Sequence, residues 1–148
     1  MNMFPQKTKE IANRLDDLYE TSISSVIVPT ITKYGIVIGK YLIKPHNGLF
    51  QVMRHKEVLY TTYNKTSALI IAGILFKNMK TDINAILEAD RTAFSKRNDL
   101  ETFKYHIDLA IRHDDSYKEG VMLAKFEAAN EKFQKARNTL KQCYSRLF

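Results

Sequence analysis

The chain has few of the residues that would build a metal centre, a disulfide or a membrane segment. Its one cysteine, Cys143, excludes an intrachain disulfide and any multi-cysteine zinc site, and it suits a reducing compartment. A thiol nucleophile would also need a base within hydrogen-bond reach; Cys143 falls beside an apolar helical stripe and reads as a packed side chain. Of the four histidines, His106 and His113 stand seven residues apart, which on a helix separates their rings by about 10 Å along the axis. There is no His-Glu-x-x-His and no Glu-x-x-His, so the zinc-protease and di-iron bundle patterns are missing. There is no Gly-x-Ser-x-Gly elbow. The N-terminal stretch from Met1 to Arg14 is polar and lacks the apolar centre of a signal peptide. The longest apolar runs are Ile36 to Ile43, broken by Gly39 and Lys40, and Ala68 to Phe76, and both fall short of the roughly 20 residues of a membrane helix. These absences predict a soluble, cytoplasmic, non-enzymatic protein with no catalytic residues, no metal, no cofactor and no membrane partner.

Acidic residues are nearly missing from the middle of the chain. Residues 1–22 carry Lys7, Lys9 and Arg14 against Glu10, Asp16, Asp17 and Glu20. Residues 23–80 carry Lys33, Lys40, Lys44, Arg54, Lys56, Lys65, Lys77 and Lys80 against Glu57 alone. Residues 81–148 carry twelve bases and eleven acids. The formal charge of +7 therefore resides in the middle segment. A localised positive field attracts polyanions, whereas balanced charge on helices is the pattern of a solvated surface.

The three segments also differ in backbone preference, and the 148 residues match the length of one domain. In 1–22, Ile11, Leu15, Leu18 and Tyr19 repeat on one helical face, so Met3 to Ser22 is predicted as an N-terminal helix. From Ile23 to Ile38 β-branched residues dominate, and their stiff side chains favour extended backbone. Pro29 lies in this run, so Ser25 to Thr32 fits an edge strand or an extended linker. Strands are predicted over 40–44, 49–55 and 58–63, with Pro45-His46-Asn47-Gly48 as a turn. The helix Ser67 to Met79 is apolar almost all round and is predicted to be buried on the sheet. Residues 81–148 have no proline and one glycine, Gly120, and read as two long helices joined at Asp114-Asp115-Ser116. The expected fold is α+β: an N-terminal helix (1–22), a small antiparallel sheet of three or four strands with one buried helix (23–80), and a long C-terminal antiparallel helical hairpin (81–148).

Two surfaces qualify as functional. The basic segment interleaves Lys40, Lys44, Arg54, Lys56 and Lys65 with Tyr41 and Tyr60, the cation-plus-aromatic pattern by which nucleic acids are held. The run Gly48-Leu49-Phe50-Gln51-Val52, followed by Tyr60-Thr61-Thr62-Tyr63-Asn64-Lys65-Thr66-Ser67-Ala68, has a strand-strand-helix order that resembles the small arm-type DNA-binding modules of phage integrases. Lys56-Glu57 stands where such a module has a glycine in its strand turn. Gly35 to Lys40 has three residues between its glycines and Tyr41 in place of Ser or Thr, so it is a strand and not a phosphate loop. The other surface is the last helix. Met122, Phe126, Ala129, Phe133, Ala136, Leu140, Tyr144 and Leu147 form one stripe, and Tyr117, Val121, Ala124 and Ala128 form a second flank. One partner helix covers only one of the two, so a homo-oligomer interface is expected around Met122, Phe126, Phe133 and Leu140. Self-association through the helices is the favoured function, with nucleic-acid binding by the basic sheet as the alternative.

Overall fold

The computed structural model describes residues 27–148. The predicted N-terminal helix, Met3 to Ser22, lies outside the described residues. The rest is α+β, with five strands where three or four were expected: β1 (Thr30–Thr32), β2 (Gly35–Ile38), β3 (Tyr41–His46), β4 (Leu49–Arg54) and β5 (Glu57–Thr62). They form an antiparallel meander in the order β1-β2-β3-β4-β5. Three helices follow: α1 (Lys65–Phe76), α2 (Ile83–Arg112) and α3 (Ser116–Leu147).

Local chemistry accounts for the turns. Asn47 and Gly48 both take positive φ, 51° and 78°, as a tight two-residue hairpin turn requires. His55 takes φ 58° in the β4–β5 turn, and a register irregularity at Val52/Met53 follows in the ladder. Pro45 is tolerated in β3 because β2 does not reach it; the β2–β3 pairing runs out at Ile36↔Ile43. Ser25 to Thr32 resolves into both readings: Thr30–Thr32 pairs with β2 as an edge strand, and Ile27 to Pro29 has no regular structure.

One face of the sheet presents Ile38, Tyr41, Ile43 and Val52 to α1, whose residues from Ser67 to Ile74 are all buried. The core then extends onto the hairpin through Ile86, Ala89 and Ala93 of α2 and Ala136, Leu140 and Leu147 of α3. The two long helices are about 45 and 48 Å in length at 1.5 Å per residue. Only their proximal parts meet the sheet domain. α2 is unbroken from Ile83 to Arg112, but beyond Ala93 it leaves the core and faces α3.

Candidate interaction surfaces

Where the hairpin stands relative to the sheet is set by Asp90, a residue that no motif or charge pattern singles out. Asp90 is 1 % exposed on α2. Its carboxyl accepts hydrogen bonds from the Tyr63 N–H at 2.9 Å, the Asn64 N–H at 3.0 Å and the Asn64 side-chain amide at 2.8 Å. Asn64 is the N-cap residue of α1, yet its side chain makes no cap bond to its own helix because the amide is turned towards Asp90. Phe94, one turn further along α2, stacks on Tyr63 with ring centroids 4.2 Å apart. Asp90 and Phe94 thus clasp α2 to the β5–α1 junction. By contrast, Asp82 and Asp115 are ordinary N-caps, accepting from Asn84 N–H and Lys118 N–H.

This clasp creates a groove of about 1090 Å³ between the β1–β2 edge, the start of α1 and the proximal hairpin. Ile36, Leu69, Phe133 and Leu140 contribute its apolar lining. Among the described residues, Lys65 from α1, Arg97 from α2, and Arg137 and Lys141 from α3 supply four cations to the lining and no carboxylate joins them. Totals over the whole hairpin hide the origin of this charge. From Asp99 to Glu131 there are eight acids (Asp99, Glu101, Asp108, Asp114, Asp115, Glu119, Glu127, Glu131) against four bases (Lys104, Arg112, Lys118, Lys125). From Lys132 to Phe148 there are five bases (Lys132, Lys135, Arg137, Lys141, Arg146) and no acid. The hairpin is an acidic rod with a basic base. Counting charge along the helix instead of over its length would have revealed it.

The predicted nucleic-acid residues are not brought together. Lys40 in the β2–β3 turn, Arg54 and Lys56 share one end of the sheet, since Tyr41 pairs with both Ile38 and Arg54. A Cβ on Gly39 would sit 2.4 Å from the Phe76 ring, so Lys77 and Lys80, which follow α1, join that end. Lys44 alternates with the core-facing Ile43 and lies on the opposite face of the sheet. Lys65 belongs to the groove at the other end, a six-residue strand or roughly 20 Å away. Tyr41 is buried in the core, so its ring has no free face for a base, and Tyr60 is half-buried beside Val52. The five basic side chains Lys40, Lys44, Arg54, Lys56 and Lys65 are all exposed.

The predicted interface residues also separate. Leu140 is buried in the core, and Phe133 packs against that core while lining the groove. Leu140 is therefore a folding residue and leaves the interface set. Met122 and Phe126 lie on the distal hairpin and are half-buried. Between Arg97 and Phe133 only Ala110 and Ala129 are buried. The second flank of α3 is largely open: Tyr117 is 84 % exposed, Ala124 and Ala128 are exposed as well, and Val121 is half-buried. Ile111, 55 % exposed, joins Tyr117 at the tip.

No helix among the described residues is long and apolar enough to cross a membrane. Comparison of the chain with protein-family models, with curated proteins and with solved structures finds no match.

Proposed function

We propose that this protein is a non-enzymatic assembly protein that self-associates through its C-terminal helical hairpin. The observation that carries this reading is the uncovered distal half of the hairpin. Two helices can bury only the sides of their stripes that face each other. Leu100, Phe103, Ile107, Met122 and Phe126 are accordingly half-buried, and Tyr105, Ile111, Tyr117 and Leu123 stand in solvent. A rod with so little buried along it gains most from a partner that covers its open side. Light scattering on the full chain should give a mass above 17.2 kDa that rises with concentration. Ile111→Asp with Tyr117→Asp should weaken association by about 30-fold or more, the effect of removing central anchors from an interface. A constant monomer mass up to millimolar concentration would overturn the reading.

A second reading, nucleic-acid binding, is favoured by the end of the sheet where Lys40, Arg54, Lys56, Lys77 and Lys80 gather. Phosphate neutralisation there predicts an affinity that falls steeply with salt. Fluorescence anisotropy with single- and double-stranded oligonucleotides tests it. Binding at 50 mM salt should disappear when Lys40, Arg54 and Lys56 are all changed to Glu, and no binding by the wild-type chain at that salt ends this reading.

A further inference from the structure

We infer that the acidic tip of the hairpin docks into the basic groove of a second copy, so that the chains associate head to tail; this rests on the self-association reading above and specifies its geometry. The two surfaces are complementary in charge. The tip from Asp108 to Glu119 holds Asp108, Asp114, Asp115 and Glu119 against Arg112 and Lys118. Among the described residues the groove holds Lys65, Arg97, Arg137 and Lys141 and no carboxylate. They are complementary in polarity as well. Ile111 and Tyr117 are exposed apolar anchors at the tip, and Ile31, Ile36 and Leu69 line the groove with aliphatic surface. A volume of about 1090 Å³ lies at the upper end of cavities that enclose a whole small ligand, which leaves room for two such side chains and their flanks.

The contact has to be between molecules. Arg97 and Arg112 lie on the same continuous helix, so the tip stands about 22 Å beyond the groove and cannot fold back to it. Symmetric tip-to-tip pairing is disfavoured, because it would bring together two segments that each carry eight acids against four bases. Two other occupants of the groove are a nucleic-acid strand and the chain's own residues 1–22. The strand is the poorer fit because stacked bases call for open aromatic faces. Here the groove's tyrosine, Tyr144, already stacks on Phe148 with centroids 4.6 Å apart. Residues 1–22 hold four acids against three bases and are less acidic than the tip. A tip-to-groove contact leaves a free tip on one chain and a free groove on the other, and so generates rings or open filaments.

Two variants of the full chain test this, each checked for an unchanged thermal melt. The groove variant carries Arg97→Gln, Arg137→Gln and Lys141→Gln; the tip variant carries Asp108→Lys, Ile111→Ser and Tyr117→Lys. All six positions are exposed. By light scattering, each variant alone should be monomeric at concentrations where the wild-type chain is not. An equimolar mixture should gain a species of twice the monomer mass and nothing larger, because each variant keeps the one surface that the other lacks. A mixture that stays monomeric while the wild type associates overturns the head-to-tail contact and leaves self-association standing. A groove variant that associates like wild type also overturns it and gives the groove to one of the other occupants. A monomeric wild type removes both readings together.

Discussion

Asp90→Ala should lower the stability of the fold by about 3 kcal/mol, on the order of a hundredfold in the folding equilibrium. The substitution removes little apolar contact. It does strip the acceptor from two backbone N–H groups, those of Tyr63 and Asn64, and from the Asn64 amide, three partly buried bonds to a carboxyl that is itself 1 % exposed. Donors left unpaired away from water cost more than a hydrogen bond gains. Asp90→Asn should be milder, because one oxygen still accepts. Since domains of this size are held by only about 5–15 kcal/mol, a loss of this magnitude is plain in a urea titration. An Asp90→Ala midpoint within error of wild type would mean that α2 is held to the sheet by apolar packing alone. The groove should suffer together with the fold, because Asn64, Lys65 and Thr66 line it at the point where Asp90 holds the start of α1.

Leu140→Ala and Met122→Ala should separate two roles carried by one helical stripe. Leu140 is enclosed by the core, so its truncation should cost about 2–5 kcal/mol through lost transfer energy and the cavity left behind. Met122 is half-buried on the distal hairpin, and its truncation should cost about 1 kcal/mol in the isolated chain. Self-association should respond in the opposite order, with Met122→Ala weakening it and Leu140→Ala acting only through the folded fraction. Denaturation and light scattering on the same two proteins read both quantities. Equal losses of stability would show that the distal seam is packed as tightly as the core.

Much of the fold was legible because local patterns suffice for it. The all-apolar run from Ala68 to Phe76 had to be a buried helix, and the absence of proline after Lys80 left the two long helices unbroken. Asn47-Gly48 announced a turn, and Asp114-Asp115-Ser116 announced the junction of the two long helices. The count of strands was less legible, since β1 is three residues long and Pro29 adjoins it. The functional surfaces were read less well, and for a definite reason. Lys40, Lys44, Arg54, Lys56 and Lys65 are neighbours in sequence, but strand alternation and the hairpin turns send them to two ends and two faces of the sheet. Tyr41 and Leu140 have the residue types of binding positions, and packing assigns both to the core. The groove drew Arg97, Arg137 and Lys141 from a hairpin whose overall balance concealed where its charges sit.

The α+β class, the buried helix, the length of the hairpin and the concentration of charge each depend on spacing and composition within a few turns of chain, and so could be read before any packing was known. Where the hairpin stands follows from packing, through a carboxyl on α2 reaching backbone donors 26 and 27 residues earlier. That placement brings Lys65 and Arg97 beside Arg137 and Lys141 and leaves the acidic tip in solvent. Charges so far apart in sequence come together only when the segments that carry them are packed, so no local pattern could foretell either surface.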